Sequence, residues 1–476
     1  MPRIAITKFH GMTNDESIIG GARYSMGVDV WGMGDNTAKI SKEGIIQSMK
    51  LMNAGSEAAS TNDVTDLITH FAYYPTSGTV WGMSSETSPR LYERVSPWTL
   101  RRSTSGSDLA TATNSGNIIA FAGRLWVAQN TRISSWDNST WTAAFAGLNS
   151  ATEHVMRIFA GKLYIADGRY VDTIDSTPTF TDKKLTLPAG YTIRSMEVFG
   201  DRIYMFADDG RMSRLFIWDG EATTFQSSFD IAHSIAPYLV FSNGILWCVP
   251  PINNSPSTPI YVFNGSSFEK VLQIPGLSVQ QNRDAVVQYG SGILIASENS
   301  TNFEDGTSGL WMIRKTSSGY EYGIAYNPAG GVTTTDIGGI ISPTTNQIYV
   351  GTNNASTFQV FELLGNADTQ TIATSIWQSH PIDGGDPAKR KQWNFIQVSS
   401  DAAKVTNSSI VVKYRLDNAT SWTTLQTITS TDTNPSRPIA IRKTGKVIEI
   451  RLELVTGTTT SAAVRGMTLD CDVLNR

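Results

Sequence analysis

Apolar and polar positions along the middle of this chain follow a recurring pattern. A short apolar run ends in an aromatic residue, a tight Gly-containing turn follows, and a second apolar run begins at once. The clearest copies are Phe121-Ala-Gly-Arg-Leu-Trp-Val127, Phe159-Ala-Gly-Lys-Leu-Tyr-Ile165 and Phe199-Gly-Asp-Arg-Ile-Tyr-Met205. Strand, turn and strand in that order predict a β-hairpin. Looser copies follow at Phe241–Trp247, Tyr289–Ile295 and, with a longer turn, Ile341–Val350; an earlier one spans His70–Trp81. A third strand closing in an aromatic and a polar turn follows most hairpins, as in Arg132-Ile-Ser-Ser-Trp-Asp137, Leu215–Gly220, Ile260–Gly265, Leu310–Ile313 and Phe358–Glu362. A fourth short segment, such as Thr140–Thr142 or Ser267–Val271, precedes the next unit.

The second-strand residues Trp126, Tyr164, Tyr204, Leu246, Leu294 and Tyr349 are spaced by 38, 40, 42, 48 and 55 residues. Four-stranded propeller blades repeat at about 40–50 residues. The pattern predicts seven units between Leu67 and Leu364 and an all-β fold, a seven-bladed β-propeller over residues 63–366. Trp126, Tyr164, Tyr204 and Trp247 are expected inside it. An all-β sandwich with fortuitous hairpins is the alternative, and a parallel β-helix would need shorter, more uniform repeats.

The flanks lack the repeat. Residues 1–62 carry short strand-like pieces, such as Tyr24–Trp31, and a linker-like stretch, Ala54–Asp63; they read as an arm that must lie on something else to be ordered. From residue 367 to 476 clear alternation returns at Trp393–Val398, Ser409–Leu416, Ile439–Ile441 and Val447–Leu454, separated by turn clusters. That spacing predicts a β-sandwich-like domain. The two flanks are expected to form one platform with the propeller inserted between them, since chain ends usually lie close together on a domain surface. Ile439–Ile441 and Val447–Leu454 are expected to be free strand edges.

Composition agrees. Charged residues are only 17% of the 476, and Thr, Ser, Asn and Gly supply the remaining polar surface, which suits short strands joined by turns. A net charge of −4 argues against binding nucleic acid through a basic face. The two cysteines, Cys248 and Cys471, sit in apolar runs and read as buried thiols without a disulfide framework. The stretch Met1–Gly11 has no apolar h-region, and no window reaches transmembrane length.

Candidate chemistry is sparse. His10, His70, His154, His233 and His380 lie far apart with no metal-ligand spacing. Asp208-Asp209-Gly210 and Glu304-Asp305-Gly306 resemble fragments of calcium loops, but hairpin turns explain them as well. Ser135-Trp-Asp-Asn-Ser-Thr-Trp141 is similar to an Asp-box turn without its glycine, and glycosidase work needs two carboxylates opposed across a sugar. No catalytic residue, cofactor or metal is expected. The compact basic run Lys389-Arg390-Lys391, close to Trp393, is a possible interface patch for an acidic partner, or a strand edge guarded by charge.

The opening Gly20–Val30, the seven loose blades, and the closing Lys389-Arg-Lys-Gln-Trp-Asn-Phe-Ile-Gln-Val398, Val411–Asp417 and Trp422 resemble virion structural proteins of tailed phages. They are similar in particular to the β-propeller tail nozzle proteins of short-tailed phages. That resemblance implies a homohexameric ring at the distal end of the tail, contacts with adaptor and fibre proteins, and DNA passing through the lumen without specific binding. It implies a virion location after synthesis in the host cytoplasm, and no enzyme activity. A receptor- or glycan-binding propeller at the tail tip is the alternative, and a sialidase-like enzyme a third.

Overall fold

The computed structural model describes residues 3–6, 22–26, 46–47, 53–54, 64–84, 88–95, 98–104, 109–110, 116–252, 257–281, 284–298, 309–316, 319–326, 335–344, 347–354, 357–364, 374–400, 409–429, 438–455 and 463–474. Every regular element among them is a β-strand, and among them no helix is long and apolar enough to cross a membrane. The chain divides into two compact units, Ser56–Gly309 with Asn327–Glu362, and Met1–Gly55 with Leu310–Tyr326 and Leu363–Arg476. The hairpin at 310–326, expected within the repeat, groups with the terminal unit. Its strand Gly319–Tyr326 runs parallel to Ala22–Met26, with Met26 opposite Ile324.

The central unit is built from small four-stranded antiparallel sheets that resemble propeller blades. The first comprises Ile68–Tyr74, Thr79–Ser84, Leu91–Arg94 and Trp98–Arg102; the second Asn117–Phe121, Arg124–Gln129, Arg132–Trp136 and Trp141–Gly147. The third comprises Met156–Phe159, Lys162–Asp167, Tyr170–Ile174 and Phe180–Thr186; the fourth Thr192–Phe199, Arg202–Asp208, Ser213–Trp218 and Ser227–Ile231. The fifth comprises Tyr238–Ser242, Ile245–Val249, Ser257–Phe263 and Phe268–Pro275. Two more hairpins follow, Val286–Tyr289 with Gly292–Ser297, and Thr335–Thr344 with Gln347–Asn354.

The hairpin turns follow from local chemistry. Ala122-Gly123, Ala160-Gly161 and Asn243-Gly244 all take positive φ at both residues, the two-residue turn whose twist matches antiparallel strands. At the same end of each sheet, the turns between third and fourth strands are closed by one side-chain oxygen each. Asp137 Oδ1 accepts from the Ser139 and Thr140 amides, Asp175 Oδ1 from Thr179, Asp219 Oδ1 from Glu221 and Ala222, and Asn264 Oδ1 from Ser266 and Ser267. The Asp-box-like segment at 135–141 is thus one of four such turns with a structural task.

Second strands are buried on both faces, which is why they read as unbroken apolar runs rather than alternating ones. Leu125–Gln129 and Leu163–Asp167 are buried throughout. Side chains from adjacent sheets share cores: Tyr74, Trp81 and Leu91 pack with Ile118, Leu125 and Val127, and Val155, Tyr164 and Val171 with Met196, Met205 and Trp218. The same holds between the last sheet and the first, where Tyr349 and Val360 join Ile68, Phe71, Tyr92 and Trp98. Trp126, Tyr164 and Trp247 are fully buried, as expected. Tyr204 is half-buried, in a line of rings from Phe199 to Phe263. Each buried Trp removes roughly 150–250 Å² from water, about 4–6 kcal/mol at ~25 cal/mol/Å².

Three glycines, Gly338, Gly339 and Gly351, set the approach of the last hairpin to the first sheet. A Cβ on Gly338 would meet the Ile68 carbonyl, and one on Gly339 the Thr69 carbonyl, well inside contact distance. Only a residue without a side chain lets these backbones come so close.

The terminal unit joins both ends of the chain. In one sheet Arg3–Ile6 pairs antiparallel with Ala463–Val473, which pairs with Lys391–Ser400 and, through it, Pro438–Gly445. In the other, Ala22–Met26 pairs with Thr374–Ser379, which continues through Ile448–Val455 and Ser409–Leu416 to Thr423–Thr429. Alternating burial in 409–416 and 450–455 gives that sheet one buried apolar face. The expectation of a free edge at Val447–Leu454 is corrected. Ile448–Val455 is paired on both sides because its two neighbours share its alternation, whereas Pro438–Gly445 does end its sheet.

Candidate functional site

In the central unit, the first strand of each sheet lies beside the first strand of the next. Ile68–Tyr74 neighbours Asn117–Phe121, and the series continues through Met156–Phe159, Thr192–Phe199, Tyr238–Ser242, Val286–Tyr289 and Thr335–Thr344, which returns to Ile68–Tyr74. Between these strands is a cavity of about 280 Å³, walled by Phe71, Tyr73, Ile118, Ile119, Met156, Val286, Val287, Ile340 and Ile341. Asn117, Arg157 and Asp284 contribute its polar groups. Polar groups, including backbone atoms of these strands, make up a large share of the wall, so the cavity offers hydrogen-bond partners as well as apolar contact.

Asp284 ties three first-strand regions together. Its Oδ2 accepts from the Phe71 amide at 3.1 Å, its own amide donates to Thr69 O at 2.9 Å, and its carbonyl accepts from the Ile340 amide at 2.8 Å. Arg157 stands 3.6 Å from Glu197 on the next inner strand, and Arg194 stands 3.4 Å from Asp208. Glu153, just before Met156–Phe159, is buried. Burial pushes its carboxyl up to about 8, opposed by the Arg194 guanidinium and reinforced by the negative charge of Asp284. Near neutrality this carboxyl is therefore protonated.

Of the histidines, His154 is fully buried, with Nδ1 2.8 Å from Ala166 O and Nε2 2.5 Å from Asn130 O, so it ties the third sheet to the turn between the second and third strands of the second sheet. His70 is buried against the Thr69 hydroxyl, and burial holds His233 below the ordinary histidine value, 3.2 Å from the Tyr261 hydroxyl. His10 and the Glu304-Asp305-Gly306 segment lie outside the described residues. In the other acidic segment, Asp209 caps its turn by accepting from the Arg211 and Met212 amides, and Asp208 pairs with Arg194. Among the described residues, no group of three His, Cys, Asp or Glu side chains is placed to hold a metal ion.

The basic run does not form one patch. Lys389 is exposed and pairs with Asp386 at 3.3 Å, and Arg390 is exposed. Lys391 is fully buried, its ammonium donating to the carbonyls of Lys389 (2.8 Å), Lys446 (3.2 Å) and Asp386. Sequence alternation at 391–400 places it on the inner side, and the turn before the strand folds its carbonyls over it. That corrects the reading of Lys391 as an interface residue.

Reading the sequence missed Glu153, Arg157, Arg194 and Asp284 as a group. The available signal was a charge inside an otherwise apolar first strand, as in Val155-Met-Arg-Ile-Phe159. The arrangement can hydrogen-bond a small polar molecule.

No family model and no curated protein matches this chain. Among solved structures it is similar to a computationally designed protein, Ika8, at 11% identity and a TM-score of 0.38, over 65% of this chain and 100% of the designed one.

Proposed function

We propose that this protein is a structural component of a phage tail, a subunit of the distal nozzle ring through which DNA exits. In this reading a seven-bladed β-propeller is inserted into a β-sandwich-like platform made by the two chain ends. The observation that carries it is the pairing of Arg3–Ile6 with Ala463–Val473, which makes one β-unit of both ends around the central repeat. The circular series of seven first strands supports a closed ring of blades, as does the pairing of Leu363 and Leu364 with Ala54 and Asn53, from before the first blade. Closure leaves no long exposed strand edge.

In this reading DNA runs through a lumen formed between the subunits of the ring. A ring needs a head-to-tail interface, and main-chain pairing at the Pro438–Gly445 edge is one way to supply it. Adaptor and fibre proteins are the expected partners, and the net charge of −4 suits a conduit that does not hold phosphate.

Solution mass tests this reading together with DNA retention in virions lacking the protein. A hexamer whose loss releases the genome supports it. A monomer with tight, salt-sensitive DNA affinity refutes it. The second reading, a receptor- or glycan-binding propeller at the tail tip, is favoured by the small cavity with Asn117, Arg157 and Asp284 at its wall. It predicts glycan binding by a protein dispensable for DNA retention, and turnover of a sialoside would point to the enzyme instead.

A further inference from the structure

The third sheet carries a group of carboxylates that the proposed function does not use. Asp167 ends the strand Lys162–Asp167, Asp172 lies in Tyr170–Ile174, and Asp182 lies in Phe180–Thr186. Asp167 and Asp172 are both fully buried. Asp167 is saturated with donors: Oδ1 accepts from the Ser150 amide at 2.7 Å, and Oδ2 from the Asn149 amide and, at 2.9 Å, the Asn149 side chain. The same Asn149 side chain donates to Asp182 Oδ1 at 2.7 Å, and Lys183 Nζ lies 3.2 Å from Asp182 Oδ2.

Asp172 is different. Its Oδ1 accepts from the Lys183 amide at 2.7 Å, but its buried Oδ2 meets no donor among the described residues. The groups it meets are the Asp167 and Asp182 carboxylates, which are themselves acceptors. Lys183 does not neutralise it, since that ammonium sits beside Asp182 and over the Tyr170 ring, where Arg169 also packs. A buried acceptor facing two other acceptors is stable only with a proton between them.

We propose that Asp172 is a neutral carboxylic acid whose proton is shared with its neighbouring carboxylates, and that this proton locks the Asp182–Lys183 bulge of the outer strand as a pH-sensitive latch. The bulge is real in the backbone. Register shifts between Val171 and Thr173, and Lys183 takes a φ of +52°. That strained turn of the strand is held by the Lys183 amide donating to Asp172. With Asp172 ionised, three carboxylates would crowd one site, and their mutual repulsion would strain the bulge even though an anionic Oδ1 accepts from the Lys183 amide more strongly. Burial raises the Asp172 carboxyl to about 7, with Asp167 and Asp182 adding to the rise and the Lys183 amide opposing it. Asp182, held mainly by Asn149 and Lys183 against its own burial, is displaced downward.

The sign follows from linkage. A carboxyl raised in the folded state contributes stability fully present below its unfolded value near 4 and lost as pH rises to about 7. Within that window each pH unit lowers the folded-to-unfolded ratio by up to about tenfold.

Asp172→Asn supplies the test, because its amide donates to the neighbours without titrating. The midpoints of urea unfolding for wild type and D172N should match near pH 4, and wild type should fall progressively behind up to pH 7–8. Glu153 titrates equally in both proteins and cancels in the comparison. Parallel curves overturn the proposal. Should D172N fail to fold, wild-type hydrogen exchange decides: once corrected for intrinsic base catalysis, protection at the Lys183 amide should drop severalfold between pH 6 and 8, and unchanged protection overturns the latch. Calcium provides the opposing arm. A rise in wild-type stability at pH 8 with 1 mM CaCl₂, absent in D172N, would mean the site holds a cation rather than a proton, and the proposal would be wrong.

Discussion

Removing Glu449 should unfold the terminal unit more readily than any surface substitution nearby. Glu449 and Arg415 form a forked ion pair across neighbouring strands, at 3.0 Å (Nε to Oε1) and 2.9 Å (Nη2 to Oε2), with side chains 1% and 4% exposed. Gln378 Nε2 donates to Glu449 Oε2 at 3.0 Å, and the Arg415 guanidinium lies 4.6 Å over the Trp422 ring. Glu449→Ala leaves a guanidinium buried without its anion, which costs about 3–5 kcal/mol. Replacing both partners, as in R415M/E449L, removes the desolvation cost along with the attraction and should recover most of that loss. Arg415→Lys should fall between, since an ammonium keeps the charge but loses the fork and the ring contact. Urea unfolding followed by tryptophan fluorescence reads all three variants. A loss under about 1 kcal/mol for E449A, or a double variant as unstable as the single one, would refute the claim that desolvation dominates here.

Lys391→Met should cost about 1–3 kcal/mol in denaturant unfolding, because three carbonyls lose their donor, whereas Arg390→Ala should change stability by less than about 0.5 kcal/mol. Equal effects would restore the reading of the run as one surface patch. Gly339→Ala forces a methyl group against the Thr69 carbonyl and should destabilise the central unit by about 1–3 kcal/mol, while Gly147→Ala, with open space around its Cβ, should be nearly silent by calorimetry. A silent G339A would mean that the last hairpin does not seat on the first sheet.

The all-β class and the seven hairpins were legible in the sequence because both depend on short-range chemistry. Phe121-Ala-Gly-Arg124 contains its own turn, and a run such as Leu163-Tyr-Ile-Ala166 states that both faces of a strand are covered. Alternation likewise placed the strands at 391–400, 409–416, 438–445 and 448–455 close to where they lie. What alternation does not contain is a partner. It could not say that Ile448–Val455 is interior while Pro438–Gly445 ends its sheet, because edge and centre strands share one period. Nor could it see that Lys391 is buried, since three carbonyls from a turn and a distant strand end satisfy its ammonium only after folding. The charges around the first strands are the extreme case. Glu153 and Asp284 are 131 residues apart, and each alone is an ordinary charge in a β-rich chain. Only the return of the last first-strand to the first one brings them within reach, and only the burial that follows raises the Glu153 carboxyl. Local sequence determined the strands and their turns; tertiary structure decided which charges lose water and which neighbours they then meet, because desolvation and Coulomb interaction depend on distance in space rather than along the chain.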